Sequence, residues 1–206
     1  MKGKFITFEG GEGSGKSTQA KIVCDMLKSH YVNFIRTREP GGTIISEKIR
    51  ELVLNKEYDQ MASETEILLF AASRAQLVDE VIRPALEEGK LVVCDRFVDS
   101  SFVYQGLTSG DNLDKVMWAN KYVMENCMPD VTLYFDIDPE VAFARKNGAD
   151  KADRIETKGM EFHKKVREGF LTLSKMFPDR IKVIDASKNL EEVTAQIFEV
   201  LRVMNI

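Results

Sequence analysis

The chain has 206 residues, enough to bury a full hydrophobic core, and its length suits one domain carrying at most a small excursion. With 44% hydrophobic and 30% charged residues it has the composition of an ordinary globular protein, and a net charge of −4 supplies no basic field to gather a phosphate backbone, which sets nucleic acid aside as a partner. Cys24, Cys94 and Cys127 lack metal-site or redox-motif spacing and no apolar stretch is long enough to span a bilayer, so the chain is expected in the reducing cytoplasm, away from membranes.

Residues 4–9 (KFITFE) are β-branched and aromatic, a glycine cluster follows, and Ile22, Val23, Met26 and Leu27 then recur at helical spacing. The order is strand, loop, helix. Further apolar runs at 33–37 (NFIRT), 91–95 (LVVCD), 131–137 (VTLYFDI) and 181–184 (IKVI) predict four more strands, separated by stretches of helical period. Near-continuous apolar strands alternating with helices predict an α/β fold, a five-stranded parallel sheet covered by helices on both faces, with ligands at the strands' C-terminal ends. The segment 145–158 (RKNGADKADRIETK) is charged and nearly without apolar residues, so it is expected to be a mobile flap. Neither a repeat nor a linker divides residues 1–206, which are expected to form one domain with this flap as its lid.

The glycine cluster Gly10-Gly11-Glu12-Gly13-Ser14-Gly15-Lys16-Ser17 satisfies the Walker A pattern between a strand and a helix, the context in which it has a mechanism. Glycines let successive backbone N–H groups turn inward around phosphate oxygens, and the following helix presents its positive end to them. Lys16 then reaches the β and γ phosphates and Ser17 holds Mg²⁺, with Thr18 in the same turn. Asp95 ends an apolar strand, so its carboxylate emerges beside that loop and serves the same cation. Phosphoryl transfer also calls for converging arginines, and Arg38, Arg50, Arg74, Arg96, Arg145 and Arg154 are the candidates among which periodicity does not choose. A regulatory GTPase would share the loop but would read guanine with Asn-Lys-x-Asp, and the Asn-Lys pairs at Asn55 and Asn120 lack the aspartate.

With these residues in place the chain resembles the thymidylate kinase family of P-loop nucleoside monophosphate kinases. The segments FEGGEGSGKST (8–18), TREPGGT (37–43), LLFAASRAQ (68–76) and DRFVDSSFVYQG (95–106) carry the match, in the family's order. The resemblance implies transfer of the γ-phosphoryl of ATP to dTMP with Mg²⁺, giving ADP and dTDP, in a homodimer with a helical contact. It implies that Phe70 stacks on thymine, Arg74 bonds a base carbonyl, Ser101 and Gln105 make polar contacts to the base, and Tyr104 crowds the sugar against a 2′-hydroxyl. Arg96, with Arg50, matches the ligands of the dTMP phosphate, Glu12 approaches the sugar 3′-hydroxyl, and Glu39 assists magnesium or its waters while Pro40, Gly41 and Gly42 shape its turn. The family places its catalytic arginine either after the loop's acidic residue or in the flap; Gly13 occupies the first position here, so Arg145 and Arg154 are expected to clamp the γ-phosphate, with Lys146 and Lys151 as further charges.

Overall fold

The computed structural model describes residues 3–110, 112–146, 153–155 and 157–204. Strand β1 (Phe5–Gly10) leads into helix α1 (Lys16–Ser29), then β2 (Phe34–Arg38), α2 (Ile44–Leu54) and α3 (Ser63–Leu77). A π-helical turn, Val78–Ile82, joins α3 to α4 (Arg83–Glu87), followed by β3 (Leu91–Asp95) and α5 (Val98–Ser101), which widens into a second π-helical stretch, Phe102–Leu107. Then come α6 (Leu113–Ala119), α7 (Lys121–Asn126), β4 (Val131–Asp136), α8 (Pro139–Lys146), α9 (Met160–Met176), β5 (Ile181–Asp185) and α10 (Leu190–Val203).

The strands form one parallel sheet in the order β2-β3-β1-β4-β5. Alternation along β1 explains why both faces are covered. Ile6 and Phe8 pack with Val23 and Leu27 of α1 and Val193, Ile197 and Leu201 of α10, while Phe5 faces Leu77, Phe97, Phe102 and Phe170 on the other side. The outer strands β2 and β5 are only partly buried, as edges are.

The helices start where their sequences say they should. Thr43 caps α2 by accepting from the Ser46 N–H, and Asn189 with Glu192 closes a capping box on α10, whose Val193, Ile197 and Leu201 then line up on one face. The chain leaves β1 toward β2 on one side and later reaches β4 on the other, so β1 lies where strand order reverses, and its C-terminal end opens into the crevice that parallel sheets use for ligands. Register puts the end of β3 there too, with Phe8 opposite Asp95, and Arg38 at the end of β2 opposite Asp95 from the other flank. No helix among the described residues is long and apolar enough to cross a membrane.

Candidate active site

The loop after β1 takes a shape that side chains would obstruct. Gly10, Gly13 and Gly15 have φ of 152°, 71° and 84°, in the region L residues avoid. At Gly13 a Cβ would also stand 2.2 Å from the carbonyl oxygen of Ala142, because α8 crosses directly above the loop. Gly11 and Gly15 face open space, and Ser14 Oγ donates to Gly11 O at 2.8 Å, tying the loop across its own turn. Lys16 opens α1 from a buried position, with Nζ 3.8 Å from Glu12 Oε1. Burial, with the Arg96 charge beside it, holds its ammonium below the usual lysine range, against the opposing pull of Glu12, Asp95 and Glu9. Ser17 and Thr18 are exposed on the first turn.

Ser17 Oγ donates to Asp95 Oδ2 at 2.8 Å, so the end of β3 meets the start of α1. The other oxygen, Asp95 Oδ1, is buried without a partner among the described residues, and Glu39 Oε1 is a second such atom on the same cavity wall. An orphaned buried carboxylate oxygen costs about 1–3 kcal/mol, and a hydroxyl with a carboxylate is the donor set a hard divalent cation takes, so these residues fit Mg²⁺.

Arg96 follows Asp95 with φ of 66°, a left-handed conformation worth about 1–3 kcal/mol of strain in a large residue. Its backbone N–H donates to Phe8 O at 2.9 Å and its side chain to Glu12 Oε1 at 2.6 Å, which joins the phosphate loop to the end of β3. It also donates to Ser100 Oγ at 3.3 Å and lies over the Tyr104 ring, 5.4 Å from the centroid. Beneath it sits Glu9, fully buried, accepting from the Phe97 and Ser100 N–H groups at 2.7 and 3.2 Å and from Ser100 Oγ at 2.6 Å. Glu9 therefore caps α5 and holds the hydroxyl that Arg96 leans on. Burial, with the Asp99 charge nearby, raises its carboxyl to about 7.

The far end of the cavity is lined by Phe70, Arg74, Ser101, Tyr104 and Gln105. Phe70 and Arg74 lie one turn apart on α3, and the stretch from α5 into its π-helical continuation brings Ser101, Tyr104 and Gln105 to the facing wall. Arg74 is 1% exposed. It donates to Glu39 Oε2 at 2.8 Å, Asn120 Oδ1 at 2.6 Å, Ser101 Oγ at 3.0 Å and Phe97 O at 3.3 Å. A guanidinium has five N–H groups, and Asn120 Oδ1, the one acceptor on Nη1 among the described residues, leaves one hydrogen there for a ligand. Burial, opposed by Arg74, raises the Glu39 carboxyl to about 7. Arg50 and Arg38 both donate to Pro40 O at 2.9 Å, which sets two guanidinium groups beside the cavity. Gln105 Nε2 donates to Glu66 Oε1 at 2.8 Å.

All the expected acceptor residues, Glu12, Glu39, Arg50, Phe70, Arg74, Arg96, Ser101, Tyr104 and Gln105, thus line one cavity of about 300 Å³ with Lys16, Ser17 and Asp95. The flap arginines do not join them. Arg145 donates to Ala186 O at 2.8 Å and Ser187 O at 3.0 Å, in the loop after β5. Arg154, expected to clamp the γ-phosphate on closure, is held in this conformation by Glu66, with which it ion-pairs, and by Val53 O, to which it donates at 3.0 Å. A carboxylate and two backbone positions of α2 hold it better than solvent would. Lys151 and the side chain of Lys146 lie outside the described residues.

Sequence reasoning passed over Glu9, Glu66, Ser100, Asp153, Ile155 and His163. Asp153, Ile155 and His163 complete the cavity from the flap and α9, while Glu9 and Glu66 act on wall residues from behind. Their partners are 39 to 91 residues away, too far for any local pattern to reveal.

Residues 8–197 match the family model described as thymidylate kinase. The chain belongs to the thymidylate kinase family. It is 48% identical to the thymidylate kinase of Ligilactobacillus salivarius over 98% of each chain, and 50% identical to that of Caldanaerobacter subterraneus subsp. tengcongensis over 95% of this chain and 91% of the other. The crystal structure of thymidylate kinase from Ehrlichia chaffeensis is similar with a TM-score of 0.79 at 33% identity, covering 98% of this chain and 99% of that one. The family relationship therefore covers the phosphate loop, the cavity and the flap together, and makes the chain an enzyme of the kinase class.

Proposed function

We propose that the chain transfers the γ-phosphoryl group of ATP to dTMP, giving ADP and dTDP for DNA synthesis, in the cytoplasm, as one domain with a lid at about 145–158. One observation carries the reading: a single cavity holds phosphate-loop residues at one end, an aromatic and amide pair suited to a pyrimidine at the other, and Arg96 between them. In this reading the amides of Gly10, Gly11, Glu12, Gly13, Ser14 and Gly15 cradle the ATP phosphates with Ser17 and Thr18. Lys16 neutralises the bridging charge. Mg²⁺, held through Ser17 and Asp95 with Glu39 near its waters, supplies charge neutralisation on the transferring group.

At the acceptor end Phe70 stacks on thymine, Arg74 gives its remaining N–H to a base carbonyl, and Ser101 and Gln105 complete the polar set. Arg96 and Arg50 bind the dTMP phosphate, Glu12 meets the 3′-hydroxyl, and Tyr104 crowds the 2′ position. Of the flap arginines, Arg145 lies on the phosphate-loop side, one turn beyond the Ala142 that roofs Gly13, and we assign it the charge that closes on the γ-phosphate. The exposed Leu68 and Trp118, which flank a shallow apolar groove between α3 and α6, support a homodimer with a helical contact.

A coupled assay of ADP release tests the assignment. Mg²⁺-dependent turnover with dTMP, weaker turnover with dUMP, and little with thymidine, UMP or AMP are the expected results. Thymidine phosphorylated while dTMP stays inert would make the chain a deoxynucleoside kinase instead.

A further inference from the structure

Gln105 forms part of the base-reading wall, and an amide can present either of two opposite faces, an acceptor or a donor. Which face it presents is decided by its neighbour. Glu66 of α3 lies buried behind Gln105, with Oε1 accepting from Gln105 Nε2 at 2.8 Å and Oε2 paired with Arg154. A carboxylate in such a pair only accepts hydrogen bonds. Glu66 therefore takes one of the two Gln105 Nε2 hydrogens and turns the nitrogen end of the amide toward α3, so that Oε1, to which nothing among the described residues donates, lies on the opposite side of the amide. Across the cavity wall Arg74 keeps one N–H on Nη1 for a ligand. An acceptor beside a donor is the complement of an N3–H beside a 4-carbonyl, the edge of thymine and uracil. Cytosine presents the reverse pattern, a lone pair at N3 and an amino group at C4.

The geometry points to Glu66 as a specificity-determining positioning residue, which fixes the Gln105 amide so that the cavity accepts 4-oxo pyrimidines and rejects 4-amino ones. This rests on the dTMP reading above. Arg154 has a matching part: by occupying the second oxygen of Glu66 it keeps the carboxylate in place and ties the C-terminal limb of the flap, Asp153 and Ile155 included, to the same wall.

The test is Glu66→Gln, assayed with ATP and saturating series of dTMP and dCMP. A glutamine at 66 donates as well as accepts, so the Gln105 amide is released to turn its NH₂ toward the cavity. We expect kcat/KM for dTMP to fall by about tenfold to a hundredfold, chiefly through KM for dTMP, with KM for ATP little changed. The dTMP-to-dCMP preference should narrow by at least about tenfold, without inverting, because Arg74 still opposes the amino group. Equal losses on dTMP and dCMP would mean that Glu66 merely supports the fold, and would overturn the inference. Glu66→Asp keeps an acceptor-only group and should retain the preference within about threefold even if turnover drops; a collapsed preference there overturns the inference equally, and decides it alone if Glu66→Gln is unstable. The wild-type enzyme separates the two readings. If it does not use dTMP at all, the proposed function fails first; if it does, the variants judge Glu66.

Discussion

At the scale of single residues, Glu9 is where local burial and chemistry pull hardest against each other. It is 0% exposed, yet its carboxylate caps α5 and holds the serine under Arg96. A carboxyl whose pKa is higher in the fold than in the unfolded chain favours the fold while protonated, so its contribution is complete below pH 4.5 and lost as pH rises through about 7. Carrying a carboxyl from 4.5 to about 7 is worth on the order of 3 kcal/mol at about 1.4 kcal/mol per pH unit. Urea denaturation of Glu9→Gln at pH 5 and pH 8 should accordingly show a smaller loss of stability with rising pH than the unsubstituted chain, by up to that amount. An unchanged pH slope would place the Glu9 carboxyl in its ordinary range. Lys16, Ser17 and Asp95 were legible in the sequence because a glycine pattern and a strand end announce them. Glu9 and Glu66 were not, since a glutamate whose partners lie dozens of residues away reads like any solvated one.

Among the elements, the strands were legible within a residue or two: β3 stands at Leu91–Asp95 as expected, while β1 runs on to Gly10 because Gly10 still pairs with Phe135 of β4. The flap was legible as a charged break but not in its attachments. One limb, through Arg154, is fastened to α2 and Glu66; the other, through Arg145, is fastened to the loop after β5. The division assigns them different work, which kinetics can separate. Arg145→Ala should lower kcat by about a hundredfold or more and leave KM for dTMP nearly unchanged, as expected for a charge engaged in the transition state. A rise in KM for ATP with kcat intact would make Arg145 a donor-binding residue instead.

For the whole molecule, a five-stranded parallel sheet covered on both faces follows from alternating apolar runs and helices, but strand order does not, because β1 could have neighbours other than β3 and β4 under the same pattern. The proposed homodimer likewise rests on the outside of the chain alone. Leu68 and Trp118 are 53% and 74% exposed, a large apolar area for a lone chain. Light scattering after size exclusion should give twice the chain mass of 23.4 kDa, and Trp118→Lys together with Leu68→Glu should return it to that mass. A monomer before substitution would remove the dimer. Arg74 ties these scales together, since its guanidinium joins the turn after β2, the start of α5, Ser101 and the α6–α7 junction while facing the acceptor cavity. Removing it leaves the buried Glu39, Asn120 and Ser101 side chains without their shared donor, at about 1–3 kcal/mol for each group left unsatisfied, from a total of about 5–15. Lineages that drift toward another nucleobase therefore have little freedom at Arg74, the residue proposed to read its carbonyl, and a change at Gln105, whose side chain has Glu66 as its one described partner, is the less costly path.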